Sequence, residues 1–173
     1  ARVEARLPFL DYLEPVQRER LRELAAGFLA QKEFHGAHDL VLDDDMMLVI
    51  ALQAALPVYR LGLGAYRGWV GIVVYPGDIV IPRREIDEDG IVHEFDDEVL
   101  GEAWEAGPVL LSWHDDEGAP DGVNVVIHEF AHKLDMANGG ADGLPPLPAG
   151  MSVEDWARDF GTAYDALCRQ LDM

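Results

Sequence analysis

The amino-acid sequence predicts an α+β fold. Helical apolar periodicity fills residues 1–56, short β-branched and aromatic runs fill the middle, and helical spacing returns from Val123 onward. Pieces of sheet set between helices give that class. The 173 residues suit one domain, and nearly half of them are hydrophobic, enough for a real core. Three parts are legible within it: a helical part over 1–56, sheet with a helix over 69–137, and the start of a further helical part over 151–173.

The elements follow in order. From Pro15 to Phe34, Val16, Leu21, Leu24, Ala25, Phe28 and Leu29 fall near one face of a helix, with arginines and glutamates on the other. A second helix is predicted from Asp43 to Leu56. Its Asp43, Asp44 and Asp45 sit where a helix N-terminus favours negative charge, and Pro57 ends it. Trp69 to Tyr75 reads as a strand, Pro76-Gly77 as a turn, and Ile79-Val80-Ile81 as a second short strand. The acidic stretch Glu85 to Glu98, interrupted at Asp89-Gly90, reads as a hairpin or an exposed loop. Pro108 to Trp113 is a further strand, expected at a sheet edge where an extended peptide could add, and His114 to Gly122 is a polar loop. Val123 to Asp135 is a helix with Val123, Ile127, Phe130, Ala131 and Leu134 as its apolar side. A Gly/Pro-rich connector follows, then a helix from Val153 toward Leu171, with Ser152 and Asp155 placed as a capping box.

Charge narrows the function. With 33 acidic and 13 basic residues the formal net charge is −20. Such a surface repels phosphate backbones, which disfavours nucleic-acid binding. The lone cysteine, Cys168, allows neither an intrachain disulfide nor a thiolate zinc cluster. No run reaches the roughly 18 apolar residues of a membrane helix, and no signal-type apolar run follows the charged start. A cytoplasmic protein is the expectation.

The chemistry concentrates in one helix. His128 and His132 lie at i and i+4, one turn apart on the same face, so their imidazoles can converge on one metal ion. Zinc suits neutral imidazole nitrogen. Glu129, beside the first ligand, is placed to take a proton from water at the metal and to return it to a leaving amine. The pattern His128-Glu129-Phe130-Ala131-His132 therefore predicts a zinc peptidase centre with His128 and His132 as ligands and Glu129 as general base. The alternative for such a pair is two structural histidines buried in apolar packing. Asp135 is either an acceptor that orients a histidine ring or a surface residue in the last turn. His35 and His38, His93, and His114 before Asp115-Asp116-Glu117 are weaker metal candidates, better read as surface groups. Trp69, Trp104, Trp113 and Trp156 read as core or rim residues.

Around this helix the sequence resembles the Mlc titration factor A family of bacterial peptidases. The resemblance rests on Val125 to Met136, Lys32-Glu33-Phe34, Val73 to Gly77, Gly101-Glu102-Ala103-Trp104 and Gly107 to Trp113, and spans about residues 20 to 140. It implies a zincin-like metallopeptidase domain of gluzincin type, aminopeptidase-like activity on peptides in the cytoplasm, and binding to a repressor of the Mlc type. It also implies a third zinc ligand, a glutamate on a helix well beyond the second histidine. No such motif occurs up to Met173, so a C-terminally shortened chain with its third ligand beyond Met173 is expected. Glu154, the one glutamate after Glu129, fits helix capping better than ligation. A rival reading is a regulatory protein that sequesters an Mlc-type repressor, with hydrolysis secondary or absent. A third is a structural remnant without activity.

Overall fold

The computed structural model describes residues 3–86, 90–114 and 123–171. Among them the chain forms four α-helices and six strands. Helix α1 spans Pro15–Leu29, α2 Asp44–Ala55, α3 Val125–Asp135 and α4 Val153–Leu171. The strands are β1 (Glu33–Gly36), β2 (Gly71–Tyr75), β3 (Ile79–Ile86), β4 (Val92–Val99), β5 (Gly101–Ala103) and β6 (Val109–Ser112). This is the expected α+β class.

Local chemistry explains where the helices begin. Glu14 and Gln17 form a reciprocal capping box at α1, with Pro15 in its first turn. The Asp43 carboxylate accepts the Met46 N–H at 2.7 Å and caps α2. Asn124 does the same for α3 through the Ile127 N–H at 2.8 Å. Ser152 Oγ accepts the Asp155 N–H at 3.1 Å, and the Asp155 carboxylate turns back to Ser152, as the sequence predicts for α4.

Strands β1, β2, β6 and β5 make one sheet in that order. The first three run parallel, and β5 pairs antiparallel with β6 in the register Gly101↔Leu111, Ala103↔Val109. Two expectations change here. The first helix ends at Leu29, and residues 33–36 leave it to pair with β2. The strand containing Val109 to Ser112 is an interior strand, paired on both sides; the edge beside it is β5. Strands β3 and β4 form a separate antiparallel ribbon, so the acidic stretch is a hairpin. Arg83 of the ribbon reaches Asp97 at 3.2 Å and Glu102 of β5 at 2.9 Å, which ties it to the sheet.

The core lies between α1, α2, α3 and one face of the sheet. Leu21, Phe28, Ile50, Leu52, Ile72, Val74, Val109, Leu111 and Phe130 are all fully buried there. Phe28 is its hub. Its ring meets Phe34, Tyr66, Trp69 and Phe130 edge-on, with centroids 6.3, 6.0, 6.5 and 5.4 Å away. Helix α4 buries none of its side chains and exposes Phe160, Tyr164, Leu167 and Leu171 along one stripe. No helix among the described residues is long and apolar enough to cross a membrane.

Removing the hub should be costly. Phe28→Ala is expected to lower the free energy of unfolding by about 3–5 kcal/mol, the scale for a buried phenylalanine. A shift of the urea midpoint at unchanged m-value reads this directly, and a loss below about 1 kcal/mol would contradict the packing described.

Candidate metal centre

Helix α3 has three faces with three jobs. Phe130 is wholly buried in the aromatic cluster, where it also meets Tyr66 at 5.5 Å and Trp69 at 5.9 Å. Val125, Val126 and Leu134 pack against the same core. Because side chains advance by about 100° per residue, inserting Phe130 turns His128 and His132 to the opposite side. His128 is exposed and His132 half-buried, so the pair is not part of the core. The expected apolar face is corrected in detail: Ala131 and Val123 are exposed, and Ile127 is only half-buried.

The two imidazoles face one another. Their Nε2 atoms are 3.0 Å apart and the rings stand perpendicular, with centroids separated by 4.6 Å. Burial lowers the basicity of His132, and His128 lowers it further, while Asp135 opposes both. Two imidazole nitrogens converging from one helix suit a borderline-soft divalent ion such as zinc. Among the described residues, no group of three or more His, Cys, Asp or Glu side chains comes together to hold a metal. The two histidines are thus a pair of donors that needs completion. Glu154 lies exposed in the first turn of α4 and does not join them.

Glu129 occupies the flank of α3 that meets β5. It is 5% exposed. Burial raises its pKa; the adjoining His128 and a hydrogen bond from the Ala103 backbone N–H pull the other way, and Glu102 adds to the rise. This contact depends on Gly101. A Cβ there would stand 2.7 Å from Glu129 Cγ and 2.8 Å from Val125 Cγ1, closer than side chains pack. The glycine lets the edge strand pass directly over the carboxylate.

Lys133, next to His132, is a functional neighbour that the sequence did not flag. It is 2% exposed, and the charge of the nearby Glu105 partly offsets the cost of its burial. Its ammonium donates to the carbonyls of Trp104, Glu105 and Gly107 at 2.5, 3.0 and 3.0 Å. Those residues form the turn between β5 and β6, so Lys133 fastens the helix to the edge strand. Its Nζ also lies 4.7 Å from the Trp69 ring centroid, and Lys32 Nζ lies 3.6 Å from it. Burial pushes both ammonium groups down to about 8.

The remaining candidates separate. The Asp135 carboxylate accepts the Gly143 N–H at 2.9 Å and holds the connector after α3. Its other oxygen is buried without a hydrogen bond. His35 lies 3.8 Å from the Glu33 carboxylate, His38 stacks edge-on against Tyr75, and His114 meets Asp78 at 3.1 Å. His93 is on the exposed ribbon. Asp115 to Glu117 lie outside the described residues. Trp69 is core, whereas Trp104 is exposed at the β5–β6 turn.

A cavity of about 670 Å³ opens beside Glu129 and His128, between the β4–β5 junction and the start of α3. His128 is among its lining residues.

Known proteins match 96% of the chain. The family model described as glucose-regulated metallo-peptidase M90 matches residues 1–173, a wider span than the segments that carry the resemblance in the sequence. An uncharacterised Synechocystis protein is 41% identical over 96% of this chain and 62% of its own length. Mlc titration factor A of Serratia proteamaculans is 38% identical, and that of Pectobacterium atrosepticum 36%, each over 96% of this chain and 64% of the relative. The chain therefore spans a little under two thirds of these relatives.

Lys133→Met keeps the length of the side chain but removes its donors. Three carbonyls then lose a partner, and we expect a stability loss of about 1–3 kcal/mol, with faster amide hydrogen exchange confined to β5 and its turn. Unchanged exchange at residues 101–108 would rule out the fastening role.

Proposed function

The chain belongs to the glucose-regulated metallo-peptidase M90 family, and from that premise we propose that it is a zinc-dependent peptidase with a zincin-like active site on α3. The observation that carries the proposal is the convergence of the His128 and His132 ring nitrogens beside the buried carboxylate of Glu129. His128 and His132 are the residues that would hold the ion, with the remaining ligand supplied from outside the described residues. When bound, zinc supplies Lewis-acid chemistry toward a carbonyl and acidifies water. Glu129 accepts a proton of the attacking water and delivers it to the departing amine, so that one peptide bond and one water become a carboxylate and an ammonium, with both water protons ending on the amine. Its partial burial suits both halves of that task, because a carboxyl lifted above its ordinary pKa accepts a proton and still gives it up. The Ala103 N–H fixes where the carboxylate sits, and Gly101 leaves it room. Aminopeptidase-like specificity and a cytoplasmic setting belong to this reading.

A second reading has its own support. Several relatives are named Mlc titration factor A, which points to a repressor as a partner. The net charge of −20 would complement a basic DNA-binding surface and compete with DNA for it. The two roles separate at one residue. Glu129→Gln keeps size and packing but not proton transfer. It should retain metal content and repressor binding while lowering peptide turnover about 10²-fold or more. His128→Ala and His132→Ala should each lose the metal. These are measured by metal analysis, calorimetry with the repressor and a peptide assay on a polypeptide of the relatives' full length. Near-full turnover by metal-loaded Glu129→Gln would remove Glu129 from its role; equal metal in all variants would remove the histidines from theirs.

A further inference from the structure

Apolar side chains make up most of the described walls of the cavity beside Glu129. Val99 and Leu100 form one side, at the end of the ribbon, and Val123, Val125 and Ile127 form the other, at the start of α3. Leu100 is 37% exposed and Val123 49%. These are large apolar side chains held out of the core and turned toward solvent next to a polar site. Such a placement marks a surface kept for a ligand. Among the described residues, the ionisable groups lining the cavity are His128 and Glu129, which belong to the centre already described. Asn124 lines it too, but its side chain is committed. Its Oδ1 caps the Ile127 N–H at 2.8 Å, and its Nδ2 donates to Gln53 Oε1 at 2.7 Å. Among the described residues the walls therefore offer no further polar side chain to compensate a charge. They carry no carboxylate apart from Glu129 among those residues.

We infer that this cavity is the subsite for an uncharged apolar side chain of the peptide, on a residue flanking the bond that Glu129 helps to cleave. The inference rests on the reading of α3 as a peptidase centre. Its volume of about 670 Å³ lies within the usual span of ligand sites, about 300–1,000 Å³, and exceeds what a leucine or phenylalanine side chain fills. Entry of such a side chain dehydrates Leu100 and Val123. A lysine or aspartate side chain would lose its hydration there, and the charged groups it could meet among the described walls, Glu129 and His128, are the ones the centre itself uses. Discrimination should reach about tenfold to a few hundredfold, the scale for contacts in an apolar pocket. Leu100 and Val123 set the preference, because they are the exposed part of the lining.

Two measurements test this, and only one needs turnover. In methyl NMR spectra of the 173-residue protein, L-leucinamide should shift the methyls of Val99, Leu100, Val123 and Ile127, whereas L-lysinamide should leave them in place. Leu100→Asp and, independently, Val123→Asp should abolish the leucinamide response; two variants are used in case one fails to fold. In the peptide assay, substrates differing only by leucine or lysine beside the scissile bond should differ about tenfold or more in kcat/KM. Leu100→Asp should narrow or reverse that ratio. Methyl shifts that ignore the difference between the two amides, or that fall elsewhere on the protein, overturn the subsite. If leucinamide shifts these methyls but no peptide is hydrolysed, the subsite stands as a binding site and the hydrolytic reading fails. If peptides are hydrolysed without regard to the apolar residue, the subsite fails and the hydrolytic reading stands.

Discussion

The insertion of Phe130 into an aromatic cluster is the constraint on which the site depends. Phe130 stands between the two histidines in sequence and opposite them in space, because a helix advances about 100° per residue. Phe28, Tyr66 and Trp69 grip its ring from α1 and from the segment before β2. With that ring fixed, the helix has no freedom to roll. His128 and His132 must face outward, Glu129 must face β5, and Lys133 must face the β5–β6 turn. The rigidity of a close-packed aromatic core is thereby passed to groups that are themselves exposed.

The same economy governs the polar anchors. Lys32 and Lys133 are both buried, yet both end on backbone carbonyls and on the face of Trp69. Carbonyl oxygens in turns satisfy an ammonium without requiring a second ion to be stripped of water. They also tie the lysine to a chain direction. Lys32 fixes the residues leading into β2, and Lys133 fixes those between β5 and β6. Lys133 thus holds the sheet to α3, and Lys32 holds the α1–β1 connection to the segment before β2.

Much of this was legible in the sequence, and the residues show why the rest was not. Helices α2 and α4 and the start of α1 declare themselves through caps and apolar period, both local properties. The His128–His132 pair is equally local, since four residues of helix fix its geometry. The sequence presents Phe34 as the tail of a helix because it continues the apolar spacing; only pairing with β2 shows that Glu33 to Gly36 is a strand. Strand β5, three residues long, is too short to show a period of two. Whether β6 lies at an edge is a property of its neighbours, so its sequence carried no sign of it. The burial of Glu129 and the role of Lys133 depend on residues about 25 to 30 positions upstream in the chain. No local pattern could have reported them.

Gly101 and Glu129 share one volume. The space that a Cβ at position 101 would need is filled by the glutamate's own Cγ and carboxyl carbon, at 2.7 and 3.0 Å, and by Val125. Tolerance at position 101 is therefore set largely by what stands at 129 and at 125. A shorter side chain at 129 together with a smaller one at 125 would open room for alanine at 101, so these three positions are epistatic. A lineage in which 129 and 125 both shrink would be free to drift at the glycine, so the identity of residue 101 records the joint volume of the two side chains beneath it.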